Sequence, residues 1–288
     1  MMGELKTRME IPFPVFAESM EEEQKARQLA QRLGCEYAGL LADFPESMTG
    51  EMEGLASAAL VAGKAGLWLE GQASRMKGER VRIRGDFLSL LPRIRTASLR
   101  SELLIRASGI NKMMGTKDSS PPAAFDATAG MGEDSFLLAA AGFTVLMCEK
   151  DPVIAALLQD TLDRAMADDR LRTIASRMTL IEGDSISVMK SLRGMTVILL
   201  DPMFPMRTKS ALVKKKFQLI HLLEKPCEDE VRLLQAAMQA DPGRILIKRP
   251  AKGPCLADQK PSFSLTGKAI RYDCLLRPYA MSGDGLLE

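Results

Sequence analysis

Histidine and tryptophan are almost absent: the 288 residues hold one of each, His221 and Trp68. A single imidazole cannot build a clustered-histidine metal site, so no metal is expected, and a Ser-His-Asp triad would have to rest on His221 alone. Nothing around His221 resembles an acid–base pair, and it reads as a helix-surface or core residue. Cysteine is also sparse. Cys35, Cys148, Cys227, Cys255 and Cys274 form no CxxC pair, and no two are closer than 19 residues. That spacing argues against a zinc ribbon or a disulfide framework and predicts a reducing, cytoplasmic setting. No apolar run approaches the roughly 18 residues of a membrane span. The longest candidate, 137–147, is cut by Gly142 and Thr144, and Glu4 and Glu10 stand where a signal peptide would be apolar.

What is present is ordinary globular composition, 46% apolar and 26% charged, long enough for one large domain or two small ones. The net charge of +2 conceals segregation. Eleven Lys/Arg face three acids between Arg75 and Lys117, and residues 207–216 and 244–252 carry basic residues with no acid among them. Such stretches favour a polyanionic partner over a set of merely solvated faces.

The first third of the chain reads as a small α+β region over 1–79. A helix over 20–33 opens on Ser19 and Glu22 as a capping box and stops at Gly34. Short apolar runs at 35–38, 57–62 and 66–70 predict a small sheet. A basic segment over 80–122 follows, with a strand from Arg80 to Phe87, a helix over 99–107, and the linker GTKDSSPP at 115–122. From 123 to 288 strands and helices alternate. Strands are expected at 123–126, 144–149, 178–182, 196–200 and 244–249, with helices at 134–141, 152–167, 186–192, 211–223 and 228–240 and a closing hairpin over 261–265 and 269–276. Repeated βα units of this length predict a doubly wound parallel sheet with its ligand beyond the carboxyl ends of the strands.

Four segments at those ends carry chemistry. In FDATAGMGED, a strand enters a turn whose glycines, Gly130 and Gly132, let the backbone approach a ligand. Asp126 ends that strand and, with Gly130 and Gly132, is a candidate cofactor contact. The turn lacks the third glycine of a dinucleotide fingerprint, and Glu133 and Asp134 would repel a pyrophosphate. A molecule bearing an ammonium and a sulfonium suits it better. Glu149 ends the next strand, where an acid can accept both hydroxyls of a ribose. Asp184 and Ser185 follow the third strand. Asp184 can accept an adenine amine, cap the following helix, or both. The fourth segment, LLDPMFPMRTKSALVKKK, is the most specific. Asp201 and the Pro202 carbonyl can grip both hydrogens of a planar amine, and Phe204 offers a face on which a base can stack. Holding those hydrogens pyramidalises an otherwise poor nitrogen nucleophile. Basic residues follow at once, so Arg207, Lys209, Lys214, Lys215 and Lys216 are candidate phosphate contacts, together with Lys248, Arg249 and Arg100.

Taken together, DATAGMGED (126–134), EKDPVIAALLQDTLDRA (149–165), LDPMFPMRTKSALVKKK (200–216), ILIKRP (245–250) and IRYD (270–273) resemble the RsmJ-type ribosomal small-subunit RNA (guanine-N2)-methyltransferases. The resemblance covers about 80–277, including the DPMFP spelling. It implies a class I, Rossmann-like S-adenosylmethionine (SAM) methyltransferase domain, the product S-adenosylhomocysteine, and 16S rRNA or the small ribosomal subunit as partner. It also implies SAM contacts from Glu133, Asp134, Glu149, Lys150, Asp184, Ser185 and Asp201. The family usually carries Arg where Glu133 and Lys150 stand, and often a small hydroxyl residue where Asp184 stands. Two other readings use the same observations. A nicotinamide-dependent oxidoreductase fits the fold class but not the acidic turn. A non-catalytic RNA-binding or ribosome-assembly module fits the basic stretches but leaves Asp201 and Phe204 without a task.

Overall fold

A computed structural model of the chain describes residues 14–43, 58–72, 80–113, 121–202 and 229–279. These residues form two compact units, one ending at Arg84 and one beginning at Gly85. The basic segment expected over 80–122 is therefore divided. Its strand belongs to the first unit and its helices to the second.

The first unit is a five-stranded sheet of β1 (Val15–Ala17), β2 (Tyr37–Leu40), β3 (Ala58–Gly63), β4 (Gly66–Gln72) and β5 (Arg80–Ile83), in the order β2-β1-β3-β4-β5. Helix α1 (Glu23–Leu33) follows a single 3-10 turn, Met20–Glu22. At its start the Ser19 hydroxyl accepts from the Glu21 amide and donates to Glu22, and at its end Gly34 takes the left-handed φ of 72° that a stop requires. Ala26, Ala30 and Leu33 share one face by helical spacing, and that face is buried. Within the sheet Glu70 is buried, yet it accepts from the Trp68 indole at 2.9 Å and from Arg82 at 3.0 Å. Those bonds offset the cost of burying a carboxylate. β5 stops at Ile83, short of the predicted Phe87, because Asp86 caps a 3-10 turn over Phe87–Leu90.

The second unit carries helices α2 (Thr96–Ser101), α3 (Leu103–Ser108) and α4 (Ile110–Met113) ahead of its sheet. The predicted 99–107 helix is broken at Glu102, whose ψ of 132° is extended. Strands β6 (Ala123–Asp126), β7 (Thr144–Glu149), β8 (Met178–Glu182), β9 (Val197–Leu200), β10 (Arg244–Pro250), β11 (Phe263–Thr266) and β12 (Ile270–Leu276) form one sheet in the order β11-β12-β10-β9-β6-β7-β8. The five strands from β8 to β10 are parallel, and β12 and β11 close the edge antiparallel. Helices α5 (Glu133–Ala140), α6 (Pro152–Ala167), α7 (Arg172–Ala175), α8 (Ser185–Met189) and α9 (Glu230–Gln239) complete the unit. α6 begins as the sequence implies, with Asp151 accepting from the Val153 and Ile154 amides and Pro152 in the first turn.

Burial explains the short apolar strands. Successive residues of each strand point to opposite faces, and both faces are covered. Ala124, Val197 and Leu199 pack with Phe136, Leu158 and Leu162 on one side. Phe125, Ile198 and Leu200 pack with Met189, Leu233 and Ala237 on the other. Each such leucine or phenylalanine contributes about 1.5–3 kcal/mol. The carboxyl ends of the strands are thereby held in fixed register. Cys148 and Cys274 are buried in β7 and β12, as expected for small apolar groups. The sequence-predicted helix over 211–223, His221 and most of the 115–122 linker lie outside the described residues.

Candidate active site

Strand order reverses at the β6/β9 pair, since β6 leads outward through β7 to β8 while β9 leads the other way to β10. Sheets of this kind bind ligands in the crevice beyond that point. The ends of the two strands are stitched together there. The Ala127 amide donates to the Leu199 carbonyl at 3.0 Å, and the Asp201 amide donates to the Thr128 hydroxyl at 2.7 Å. Asp126 shapes the turn from within. It is 2% exposed and accepts from the Thr128 amide at 3.1 Å and the Ser135 hydroxyl at 2.6 Å. Burial pushes its carboxyl up to about 7 against those two bonds. The two glycines serve different ends. Gly130, at φ +53°, faces open space where a Cβ would lie, and Gly132, at φ +77°, packs so closely on Leu158 that a Cβ would stand 2.6 Å from it.

Glu149 ties this turn to the next loop. Its carboxylate accepts from the Gly130 amide at 2.9 Å and from the Asp151 amide at 2.8 Å. Burial raises its proton affinity above the ordinary carboxylate range, opposed by those backbone bonds. The Gly183 amide donates to the Glu149 carbonyl at 2.8 Å, bringing the β8 loop alongside. There Asp184 caps α8, accepting from the Ile186 and Ser187 amides, with Ser185 buried behind it. Glu133 and Lys150 are exposed at the rim.

Across the crevice a different device appears. Lys248 of β10 places its ammonium 2.8 Å from Asp201 Oδ2 and 2.8 Å from Asp134 Oδ2. The Tyr272 hydroxyl of β12 donates to the same Asp134 oxygen at 3.4 Å. Burial disfavours the charge on Lys248, but Asp134 and Asp201 outweigh it and raise its proton affinity. Burial also raises that of Asp201, and Lys248 opposes the rise. Pro202 is buried directly after Asp201, and Phe204, Arg207, Lys209, Lys214, Lys215 and Lys216 fall outside the described residues.

The edge therefore gathers Asp134, Glu149, Asp184 and Asp201 around two glycine-bearing turns. This donor set fits a ligand with a sulfonium, an ammonium and hydroxyls, and disfavours a pyrophosphate. Residues 51–277 match the family model described as a putative SAM-dependent methyltransferase. The chain is 40% identical over 252 residues to the ribosomal RNA small subunit methyltransferase J of Stutzerimonas stutzeri, covering 86% of this chain and 89% of that protein. It belongs to the small-subunit ribosomal RNA methyltransferase J family of SAM-dependent methyltransferases. The Pseudomonas syringae member is 36% identical over 255 residues, covering 87% of this chain and 86% of its own. The crystal structure of a SAM-dependent methyltransferase from Neisseria gonorrhoeae matches with a TM-score of 0.65 at 27% identity, over 93% of this chain and 97% of that one. The expected doubly wound methyltransferase fold is thus present, and neither the nicotinamide nor the non-catalytic alternative fits membership of this family.

Within the methyltransferase fold three expectations need correction. Asp126 spends both carboxylate oxygens inside the turn and is sealed from solvent, so it organises the glycine turn without being placed to touch a ligand. Arg249 is 1% exposed and donates to the Pro254 carbonyl at 2.9 Å, which removes it from any surface that could meet a phosphate. Lys248 is committed to Asp134 and Asp201 and belongs to the crevice itself. Arg100 is exposed at the end of α2. Sequence reasoning missed Tyr272 and the part played by Lys248. A usable signal existed in RILIKRP, because adjacent strand residues face opposite sides and Lys248 and Arg249 could never line one surface together.

Proposed function

We propose that this chain transfers the methyl group of SAM to the exocyclic N2 amine of a guanine in small-subunit ribosomal RNA. The observation that supports this most directly is Asp201. It sits at the carboxyl end of β9, at the strand-order reversal, with its amide fixed by Thr128 and its carboxylate half-exposed to the crevice. SAM supplies an electrophilic methyl group when bound. The guanine amine is a weak nucleophile because its lone pair is delocalised into the ring. Asp201 and the Pro202 carbonyl accept its two hydrogens and favour a pyramidal nitrogen, with Phe204 stacking on the base. The N–CH3 bond forms as the S–CH3 bond breaks, and the methylated amine releases one proton to water. No histidine is required, which suits a chain whose one imidazole lies elsewhere in the sequence.

On the donor side, Glu149 is the acceptor for the ribose hydroxyls, Asp134 faces the cationic part of SAM, and Asp184 with Ser185 borders the adenine. Arg207, Lys209, Lys214, Lys215 and Lys216 follow the Asp201 loop in sequence and, with exposed Arg100, supply phosphate contacts that give affinity without base identity. The residues over 123–288 hold the chemistry in this reading. No helix among the described residues is long and apolar enough to cross a membrane. A ribosomal RNA substrate would favour a cytoplasmic setting.

The test is incubation of the full chain with labelled SAM and small ribosomal subunits from a strain lacking it, followed by mapping of the labelled base. Label on the N2 of one guanine is the expected result. Label on another position, or on protein alone, refutes the reading.

A further inference from the structure

We propose that Lys248 is a positioning residue for methyl transfer: by bridging Asp201 to Asp134 it keeps the Asp201 carboxylate ionised and fixed in orientation. This rests on the reading of Asp201 as the acceptor for the target amine. Lys248 comes from β10, which pairs in parallel with β9, so its side chain rises beside the strand that ends at Asp201. One ammonium is shared by two carboxylates, each at 2.8 Å, with 25% of the lysine side chain, 18% of Asp134 and 37% of Asp201 exposed. At that degree of burial, two carboxylates facing the same space would repel, and one would take up a proton. A protonated Asp201 is a poorer acceptor and offers its own O–H where an amine hydrogen should sit.

The bridge is asymmetric, and the asymmetry identifies which partner depends on it. Asp134 also receives the Tyr272 hydroxyl. Among the described residues, Lys248 is the side-chain partner of the Asp201 carboxylate. Loss of the ammonium would leave Asp134 with a neutral donor and Asp201 with none. The charged and titratable groups facing Asp201 bear this out. Asp134 on α5 and Asp126 on β6 are acids that repel its charge, Lys248 on β10 favours it, Arg249 adds a weaker favourable charge from the opposite face of β10, and the Tyr272 hydroxyl on β12 is neutral. Lys248 is the close cation of that set.

The experiment compares the full-length wild type with Lys248→Met, Lys248→Arg and Asp134→Asn. Two quantities are read. The first is the titration midpoint of the Asp201 carboxyl in the substrate-free protein, followed by carbon-13 NMR and assigned with Asp201→Asn. The second is the pH profile of kcat/KM for methyl transfer to small subunits, with thermal melting and SAM affinity recorded alongside. An opposite charge at this range depresses a carboxyl midpoint by about 1–3 pH units, so Lys248→Met should raise the Asp201 midpoint by that amount. Activity is lost as pH falls through that midpoint, so the acid limb of the profile should move up equally. The variant should then be far weaker than wild type on the acid side of the profile and recover as pH rises. Lys248→Arg keeps the charge and should keep the wild-type limb. Asp134→Asn removes the repelling acid and should lower the midpoint, so it reads the same coupling if Lys248→Met does not fold. A loss of activity by one factor at every pH, with an unmoved Asp201 midpoint in the variants, overturns the inference while the functional reading stands. A folded wild type that methylates no RNA overturns the functional reading and the catalytic meaning of the bridge, and the NMR titration still reports the coupling itself.

Discussion

The carboxylates on the two sides of the crevice are held by different chemistry. On the β6–β8 side, Asp126, Glu149 and Asp184 each accept from backbone amides: Thr128 for Asp126, Gly130 and Asp151 for Glu149, and Ile186 and Ser187 for Asp184. On the other side, Asp201 at the end of β9 shares the ammonium of Lys248, carried on a flexible four-carbon stem, with Asp134 of α5. Backbone amides in turns and helix starts cannot rotate away, so the first group forms a rigid frame before any ligand arrives. The second group can rearrange when a substrate offers its own hydrogens. Rigid placement suits a cofactor that is the same in every turnover. An exchangeable partner suits the side proposed to accept an amine and release it as a secondary amine.

The largest effect should come from breaking the adjustable side at its centre. Asp201→Ala removes the proposed amine acceptor and leaves the frame intact. The expected outcome is a loss of about 10²–10³-fold in turnover, the scale for deleting one preorganised hydrogen-bonding group that acts in the transition state. SAM affinity should change by less than about threefold, well under the 1.4 kcal/mol that a tenfold change represents. Single-turnover transfer and calorimetry separate the two. Near-normal transfer by the variant would remove Asp201 from the reaction.

Breaking the rigid side should instead damage binding and folding together. Glu149→Ala removes the proposed ribose acceptor and also leaves the Gly130 and Asp151 amides without their carboxylate. Losing a hydrogen-bonded charged partner costs about 1–3 kcal/mol, so SAM and S-adenosylhomocysteine should weaken in parallel by about 5–150-fold. The melting temperature should fall as well, because the clamp between two loops is lost. An unchanged dissociation constant for both ligands contradicts the ribose assignment. A weakened dissociation constant with an unchanged melting temperature contradicts the frame.

The rigid side was also the legible one. Its strands end where short apolar runs meet glycine or acid, and its hydrogen bonds mostly join residues close in sequence, such as Asp126 with Thr128, Glu149 with Asp151 and Asp184 with Ile186. Glu149 with Gly130 spans only one βα unit. The adjustable side depends on Lys248 meeting Asp134, a separation of 114 residues that no local pattern encodes. Basic residues at 244–252 raised the charge of the segment, but charge alone carries no direction. Strand alternation was the unused signal, because it sends Lys248 into the crevice and Arg249 to the opposite, buried face. The division between units at Arg84 and Gly85 rests on a related cause. β5 joins the first sheet through antiparallel pairing with β4, a register set by tertiary packing rather than by composition. Glu102 interrupts the predicted helix, and Arg93 grips it with two bonds of 2.8 and 3.0 Å, a pairing that again depends on the folded chain.

The smallest expected effect lies at Asp184, where capping and adenine recognition compete for one carboxylate. Its two oxygens accept from the Ile186 amide at 3.4 Å, the Ser187 amide at 3.2 Å and the Ser187 hydroxyl at 2.8 Å. That inventory assigns the side chain chiefly to the start of α8, a helix of five residues that needs its first amides satisfied. Asparagine caps about as well as aspartate, whereas alanine costs about 0.5–2 kcal/mol. Asp184→Asn should therefore leave both the denaturant midpoint and the SAM dissociation constant close to wild type. Asp184→Ala should lower stability by about that amount and weaken SAM only modestly, through the loosened loop beside Glu149. Chemical denaturation and calorimetry on the two variants decide the matter. A strong loss of SAM affinity in Asp184→Asn, with stability retained, would mean that the ligand uses the negative charge directly. Asp184 would then belong with Asp134 and Asp201 among the carboxylates whose partners change in turnover, and the rigid frame would shrink to Asp126 and Glu149.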